Sequence, residues 1–217
     1  MNGITDRSIL SPYLKNGSVD YRKLKTDPSI PTLVNYIETA DISKFSLKEQ
    51  FAFWLNAYNI ITLKSVLNRL EQNNSWKGNL SLWSKVKFFV LEKHLVAGQK
   101  ITLYNLENKI LRKRFKDPRI HFAINCASVS CPVLPGKLFM ADDLDDTLYE
   151  LTVQFINSEN VRVDGETLYV SKIFSMYKKD FSPSIREFIM KYHQDDLSPI
   201  RNIKFMKYNW KINSQFT

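Results

Sequence analysis

Apolar positions along the chain change their spacing several times, and each change marks an element. "DPSIPTLVNYIETAD", residues 27–41, puts Ile30, Leu33, Val34 and Ile37 on one helical stripe, with Pro28 and Pro31 near its start. "SLKEQFAFWLNAYNIITLKSVLNRLEQNN" follows. Ser46 with Glu49 three residues later forms a capping box, and from Phe51 to Leu70 the pattern is apolar almost all round. A helix without a polar face belongs inside the fold, so a buried central helix is predicted over about residues 46–72.

After "NNSWKGN" the rhythm shifts. "KVKFFVLEKHLVAGQKITL" carries β-branched and aromatic runs around Ala97-Gly98, which predicts a strand pair. "LYNLENKILRKRF" reads as a helix ending at Asp117-Pro118, and "RIHFAIN" as a short apolar strand. "DDLDDTLYELTVQFINSE" is an amphipathic helix with acids in its first turn, and "VRVDGETLYVS" is a hairpin signalled by Asp164-Gly165. "SKIFSMYKKDF" and "PSIREFIMKYH" predict two short helices, and "IKFMKYNWKINS" an edge strand. The sum is a helix-rich α+β single domain over residues 1–217, built round the central helix with a small, mostly antiparallel sheet.

Composition supports a packed core: 44% of the 217 residues are hydrophobic. The formal net charge of +9 favours anionic surroundings. Its densest run, "KILRKRFKDPR", reads as the exposed face and C-terminal end of a helix, where cations complement the dipole. No zinc-finger, RNA-recognition or helix-turn-helix pattern accompanies it, so specific nucleic-acid binding is not expected. "MNGITDRSIL" lacks the apolar core of a signal peptide, and no window reaches the length of a membrane span. The reading is cytoplasmic, or exported where a leader has been removed. His121 with His94 or His193 does not give a zinc spacing with the cysteines, and nothing calls for a metal or another cofactor.

Two features carry candidate chemistry. In the central helix, Asn56 and Asn59 share one face amid apolar neighbours, so both amides need partners. They either hold a neighbouring segment by its backbone or line a polar pocket. Tyr58 points elsewhere, and its hydroxyl also needs a partner if buried.

The second feature is "HFAINCASVSCPVL", residues 121–134, which holds both cysteines. Cys126 follows the expected strand and precedes a small-residue turn, Ala127-Ser128, whose N–H groups suit an anion nest. On a strand, His121 and Cys126 face opposite ways unless a bulge intervenes, while His121 shares a face with Asn125 and is expected to bond Glu107 or Asn59. Cys126 and Ser128 are placed at the mouth of a pocket, with His121 further in and Asn56, Asn59 and Glu107 facing it. Asn125, Tyr58 and Arg112 are counted as further binding candidates.

"FWLNAYNIITL", "ITLYNLENKILR", "DPRIHFAINCASVSCPVL", "SKIFSMYKKDF" and "YNWKIN" fall in an order that resembles the domain of unknown function 547 family, from about Tyr13 to about Asn213. The resemblance gives a family without an activity. It implies that Cys126 is the more important sulfur, because some eukaryotic members lack the equivalent of Cys131. It also marks one departure, "YNW" at Tyr208 to Trp210, where the family usually has Tyr-Asp-Trp.

The leading expectation is a module that binds an unidentified small molecule or protein in this pocket. The alternative is a papain- or transglutaminase-like cysteine hydrolase or acyl transferase, with Cys126 as nucleophile, His121 as base and Glu107 or an Asn orienting it. A thiol redox device ranks third, since C-x-x-C is absent. If net charge alone governs contact with nucleic acid, binding is weak and is lost between about 50 and 200 mM salt. Filter binding across a salt series checks this; tight binding that survives salt and depends on Arg112, Lys113 and Arg114 would contradict it.

Overall fold

The computed structural model describes residues 7 to 216. A short antiparallel ribbon comes first, β1 (Leu14–Lys15) with β2 (Ser18–Val19), followed by α1 (Tyr21–Thr26) and α2 (Ser29–Thr39). The central helix α3 spans Leu47–Gln72. Its start is the predicted capping box: Ser46 Oγ accepts from the Glu49 amide, and Glu49 Oε2 from the Ser46 amide at 2.7 Å. From Phe51 to Leu63 every residue is buried, as the missing polar face requires.

α4 (Leu82–Lys85) continues as a wider, π-wound segment over Val86–Leu91, where the sequence predicted the start of a strand. Phe88 plugs into the core from this segment and Arg69 covers its ring at 4.6 Å, so packing overrides β propensity here. The predicted strand pair is therefore shorter, β3 (His94–Val96) with β4 (Gln99–Ile101), turning at Ala97-Gly98. α5 (Leu103–Asn105), capped by Thr102, likewise runs into a π-wound stretch, Leu106–Phe115, which ends at Lys116 in the left-handed conformation.

"RIHFAIN" is not a strand. Ile120–Ala123 is a helical turn, α6. Asp117 Oδ1 accepts the Arg119 amide at 2.9 Å, and Pro118 supplies the fixed φ that a first turn needs. Asp-Pro thus opens a turn as well as closing the helix before it. Then come α7 (Leu144–Ile156), the hairpin β5 (Val161–Asp164) and β6 (Thr167–Val170), α8 (Lys172–Met176), α9 (Ile185–Met190) and β7 (Asn202–Phe205). β7 pairs in parallel with β6 at the edge of a three-stranded sheet; the other pairings between the named strands are antiparallel. The architecture is helix-rich α+β, with its strands distributed over three small sheets among the described residues. No helix among those residues is long and apolar enough to cross a membrane.

Beyond Phe205 the expected edge strand gives way to an extended strap. Ile212 N donates to Lys77 O, Val129 N to Lys211 O, and Asn213 N to Ala127 O, so the strap lies between the end of α3 and the cysteine segment. Gly78 makes that approach feasible. Its φ is +106°, and a Cβ there would sit 2.5 Å from Trp210 O.

Buried apolar side chains form two clusters. The larger surrounds α3. The smaller is packed from Phe155, Phe174, Phe181, Phe188 and the inner face of the three-stranded sheet. The α6 turn stands on the seam: Ile120, Ala123 and Ile124 belong to the first cluster, Phe122 to the second.

Asn56 and Asn59 hold neighbouring backbone. Asn56 is paired twice with Phe139, amide to carbonyl at 2.8 Å and carbonyl to amide at 2.9 Å. Asn59 Nδ2 donates to Ala123 O at 3.0 Å, and its Oδ1 accepts Asn125 N at 2.8 Å. Replacing either by leucine strands a buried backbone donor and acceptor, so Asn56→Leu and Asn59→Leu should each cost about 1–3 kcal/mol. Urea unfolding checks this; unchanged midpoints would contradict it.

Candidate functional site

The α6 turn and the residues after it are fixed before any chemistry is considered. Asn59 holds the turn at Ala123 and Asn125. Asn125 then donates to Pro132 O at 2.6 Å and accepts Ala127 N at 2.8 Å, closing a loop around both cysteines. Ala127 takes a left-handed φ of +61° within it. The loop opens onto a cavity of about 360 Å³. Cys126, Cys131 and His121 line it, together with Tyr58, Glu107 and Arg112.

This differs from the sequence expectation in which residues face the cavity. Asn56, Asn59, Asn125 and Ser128 are outside its lining, their polar groups occupied in holding backbone or, for Ser128, the Cys126 sulfur. Tyr58, expected to point away, faces it, and its hydroxyl finds Glu107 Oε2 at 3.4 Å. The expected anion nest is filled as well. Cys126 N donates to Cys131 Sγ at 2.8 Å, Ala127 N to the Asn125 side chain and Val129 N to the strap.

Both cysteines are free and half-buried. Cys126 Sγ lies 3.1 Å from the Tyr208 hydroxyl and 3.2 Å from Ser128 Oγ. Burial raises the thiol pKa, but hydrogen bonds from Cys131, Ser128 and Tyr208 outweigh it and bring Cys126 from 9.0 down to about 7. Burial and the Cys126 charge push the Tyr208 hydroxyl far above its ordinary value, so it stays protonated and donates to the sulfur. Burial pushes Cys131 in the same upward direction. One thiolate therefore forms, and it is Cys126.

His121 bonds neither Glu107 nor Asn59. Its Nε2 is 2.7 Å from Asp180 Oδ2, and its ring stacks on Tyr177 with centroids 4.0 Å apart. Asp180 is also clamped by Arg112, Nε to Oδ2 at 2.6 Å and Nη2 to Oδ1 at 2.9 Å. Burial raises the Asp180 pKa, and the bonds from His121 and Arg112 more than reverse this, holding it well below the usual carboxylate range. An ionised carboxylate only accepts, so Nε2 carries the proton and a neutral ring presents Nδ1 as its basic atom. Arg112 is thus an inward-facing clamp, although its basic run reads as an exposed face.

Asp180, Tyr177 and Tyr208 were missed as site residues. The signals available were the Asp in "SKIFSMYKKDF" and the Tyr of "YNW", both inside recognised motifs. Asn209, the departure in that motif, accepts Lys211 N through Oδ1 at 3.1 Å, a contact an aspartate would make equally. No group of three or more His, Cys, Asp or Glu among the described residues is arranged to hold a metal ion.

The depressed Cys126 pKa sets a pH dependence. Thiolate dominates above pH 7 and is lost as pH falls through about 7, and the stability that ionisation lends the fold is lost over the same descent from about 9. Iodoacetamide labelling mapped by mass spectrometry should therefore modify Cys126 with a midpoint near pH 7 and largely spare Cys131. Tyr208→Phe should move that midpoint upward. An ordinary thiol midpoint, unmoved by Tyr208→Phe, would contradict the arrangement.

Comparison with curated proteins and with solved structures finds no match. A family model does match, over a shorter span than the sequence resemblance suggested, taking in Tyr58, Glu107, Arg112, His121 and Cys126 but ending before Asp180 and Tyr208. That model, described as "Protein of unknown function, DUF547", matches residues 42–156, more than half of the 217 residues, and the chain belongs to that family.

Proposed function

We propose that this protein is a thiol-dependent hydrolase or acyl transferase whose nucleophile is Cys126. The observation that carries the reading is convergence: a cysteine with a lowered pKa and a histidine fixed by an ionised aspartate line one open cavity. Asp180 takes the orienting role that sequence reasoning gave to Glu107.

In this reading the proton that Cys126 gives up is taken by His121, and the resulting thiolate attacks the substrate's acyl carbon. A carbon–sulfur bond forms and the bond to the leaving group breaks, with protonated His121 supplying the proton the leaving group takes away. His121, neutral again, accepts a proton from water or another acceptor as that molecule attacks the thioester, and Cys126 is released. Asp180 stabilises the imidazolium that alternates with the neutral ring and holds a proton on Nε2 in both, so that Nδ1 is the atom that gains and loses one. Once the sulfur has lost its charge, the Tyr208 hydroxyl is free to donate to the developing oxyanion.

A second reading is a binding pocket without turnover. Its support is that no hydrogen bond joins His121 to Cys126 among the described residues, the sulfur being held by Tyr208 and Ser128 instead. Catalytic hydrogen bonds are often long before substrate binds, so this does not outweigh the convergence.

p-Nitrophenyl esters test the two readings. The full chain should turn them over, Cys126→Ala should abolish turnover, and Asp180→Asn should lower kcat by about 10²–10⁴-fold, the range of a general acid–base contribution. Turnover that is absent in the parent, or that persists in Cys126→Ala, would leave the binding reading.

A further inference from the structure

We infer that the cavity selects a ligand bearing an alkylammonium group, as in a lysine side chain or an aminoalkyl ester, and seats that cation on Glu107. As a statement about substrate class it rests on the thiol-dependent reading; as a statement about binding it is tested separately.

Some charges at the cavity have charged partners and one lacks them. Arg112 is matched by Asp180 through two hydrogen bonds, and Asp180 also receives His121. That chain closes on itself. Glu107 has no such complement. It is only 7% exposed, its Oε2 accepts a long 3.4 Å contact from Tyr58, the Tyr177 hydroxyl also interacts with the carboxylate, and Oε1 is buried with no partner within hydrogen-bond distance. An unpartnered, buried carboxylate oxygen is costly, and a donor supplied by a ligand removes the cost. Lys and Arg side chains do not fill the role here: among the ion pairs of the described residues, none involves Glu107.

The walls point to the same ligand. The cavity that Glu107 lines is also lined by Tyr58, Tyr104, Tyr177, Tyr208 and Trp210, of which Tyr58 and Tyr177 reach Glu107 itself. Tyr58 and Tyr177 stay protonated, burial and the Glu107 charge both raising their pKa values. A carboxylate in a cavity with aromatic walls is the chemistry that recognises organic cations, by charge at the carboxylate and by ring quadrupole at the walls. Arg112 already uses one face of Tyr177 in this way, at 4.9 Å. Tyr104 is half exposed, so the entrance is itself aromatic. A thiolate at Cys126 would add a negative charge that an imidazolium at His121 balances, leaving the Glu107 charge uncompensated. An anionic substrate would meet an unpaired carboxylate, despite the chain's net positive charge.

The test compares n-butylammonium with 1-butanol, its neutral counterpart of similar size, by NMR titration of the full chain at pH 7. The expected result is at least about tenfold tighter binding of the ammonium, the discrimination a charge-assisted hydrogen bond supplies. Glu107→Gln should reduce that preference to near unity, and Tyr104→Ala should weaken ammonium binding without removing the preference. Equal binding of the two probes by the parent protein, or a full ammonium preference in Glu107→Gln, would overturn the inference. The parent comparison needs no variant, so a misfolded Glu107→Gln would not rescue it. If the ammonium is preferred through Glu107 while esters are not turned over, the cation site stands and the acyl-transfer reading fails. If esters are turned over and the parent shows no ammonium preference, the cation site alone fails.

Discussion

Everything at the cavity depends on one amide. Asn59, buried in the middle of the central helix, accepts the Asn125 N–H and donates to the Ala123 carbonyl. Those two backbone groups lie where the α6 turn ends and the cysteine loop begins, and in a dry interior they need a partner with both a donor and an acceptor. A single asparagine supplies both at a fixed spacing. It therefore sets the height of the turn against α3 and the point from which Cys126 projects. Asn56, one helical turn earlier, treats Phe139 in the same way and pins the segment beyond the loop. The rigidity of the site is borrowed from the longest and most deeply buried element in the fold.

The second constraint is position on a seam. Phe122 packs among the phenylalanines of the smaller cluster while Ile120 and Ala123 pack against α3, so the turn carrying His121 is held from both sides. Asp180 and Tyr177 come from the smaller cluster's side and Glu107 and Arg112 from the stretch packed on α3, which is why the cavity's polar groups are far apart in sequence. The strap completes the wall. Threaded past Gly78 and tied to Ser130 and Ala127, it delivers Tyr208 to the sulfur. The thiol is tuned by a residue 82 positions away in the chain.

The sequence was informative where local rules decide. Ser46 and Glu49 start the central helix, Asp164-Gly165 turns the hairpin, and the two apolar-flanked asparagines had to be partnered. It misled where a short apolar run fits two periods. "RIHFAIN" is as good a strand as a helical turn, and only the Asp117 side chain bonding forward to Arg119 decides between them. That choice removed the parity objection to His121 and Cys126, since residues on a turn and on the extended chain after it do not alternate. The π-wound stretches at Val86–Leu91 and Leu106–Phe115 leave no local signature, because tertiary packing selects them. Asp180 and Tyr208 were invisible as site residues for the same reason: their motifs were legible, but their destination depends on how the two clusters meet.

We propose that Cys126 acts as a nucleophile in a cavity shared with the His121–Asp180 pair. The most direct measurement is acid-quench trapping, in which the full chain is mixed with an activated ester, stopped within one turnover, digested and mapped by mass spectrometry. The account predicts a single acyl group on the peptide containing Cys126, absent when Cys126 is pre-alkylated and longer-lived in Asp180→Asn. No acyl-cysteine under these conditions, or an acyl group distributed over surface lysines with Cys126 untouched, would contradict it.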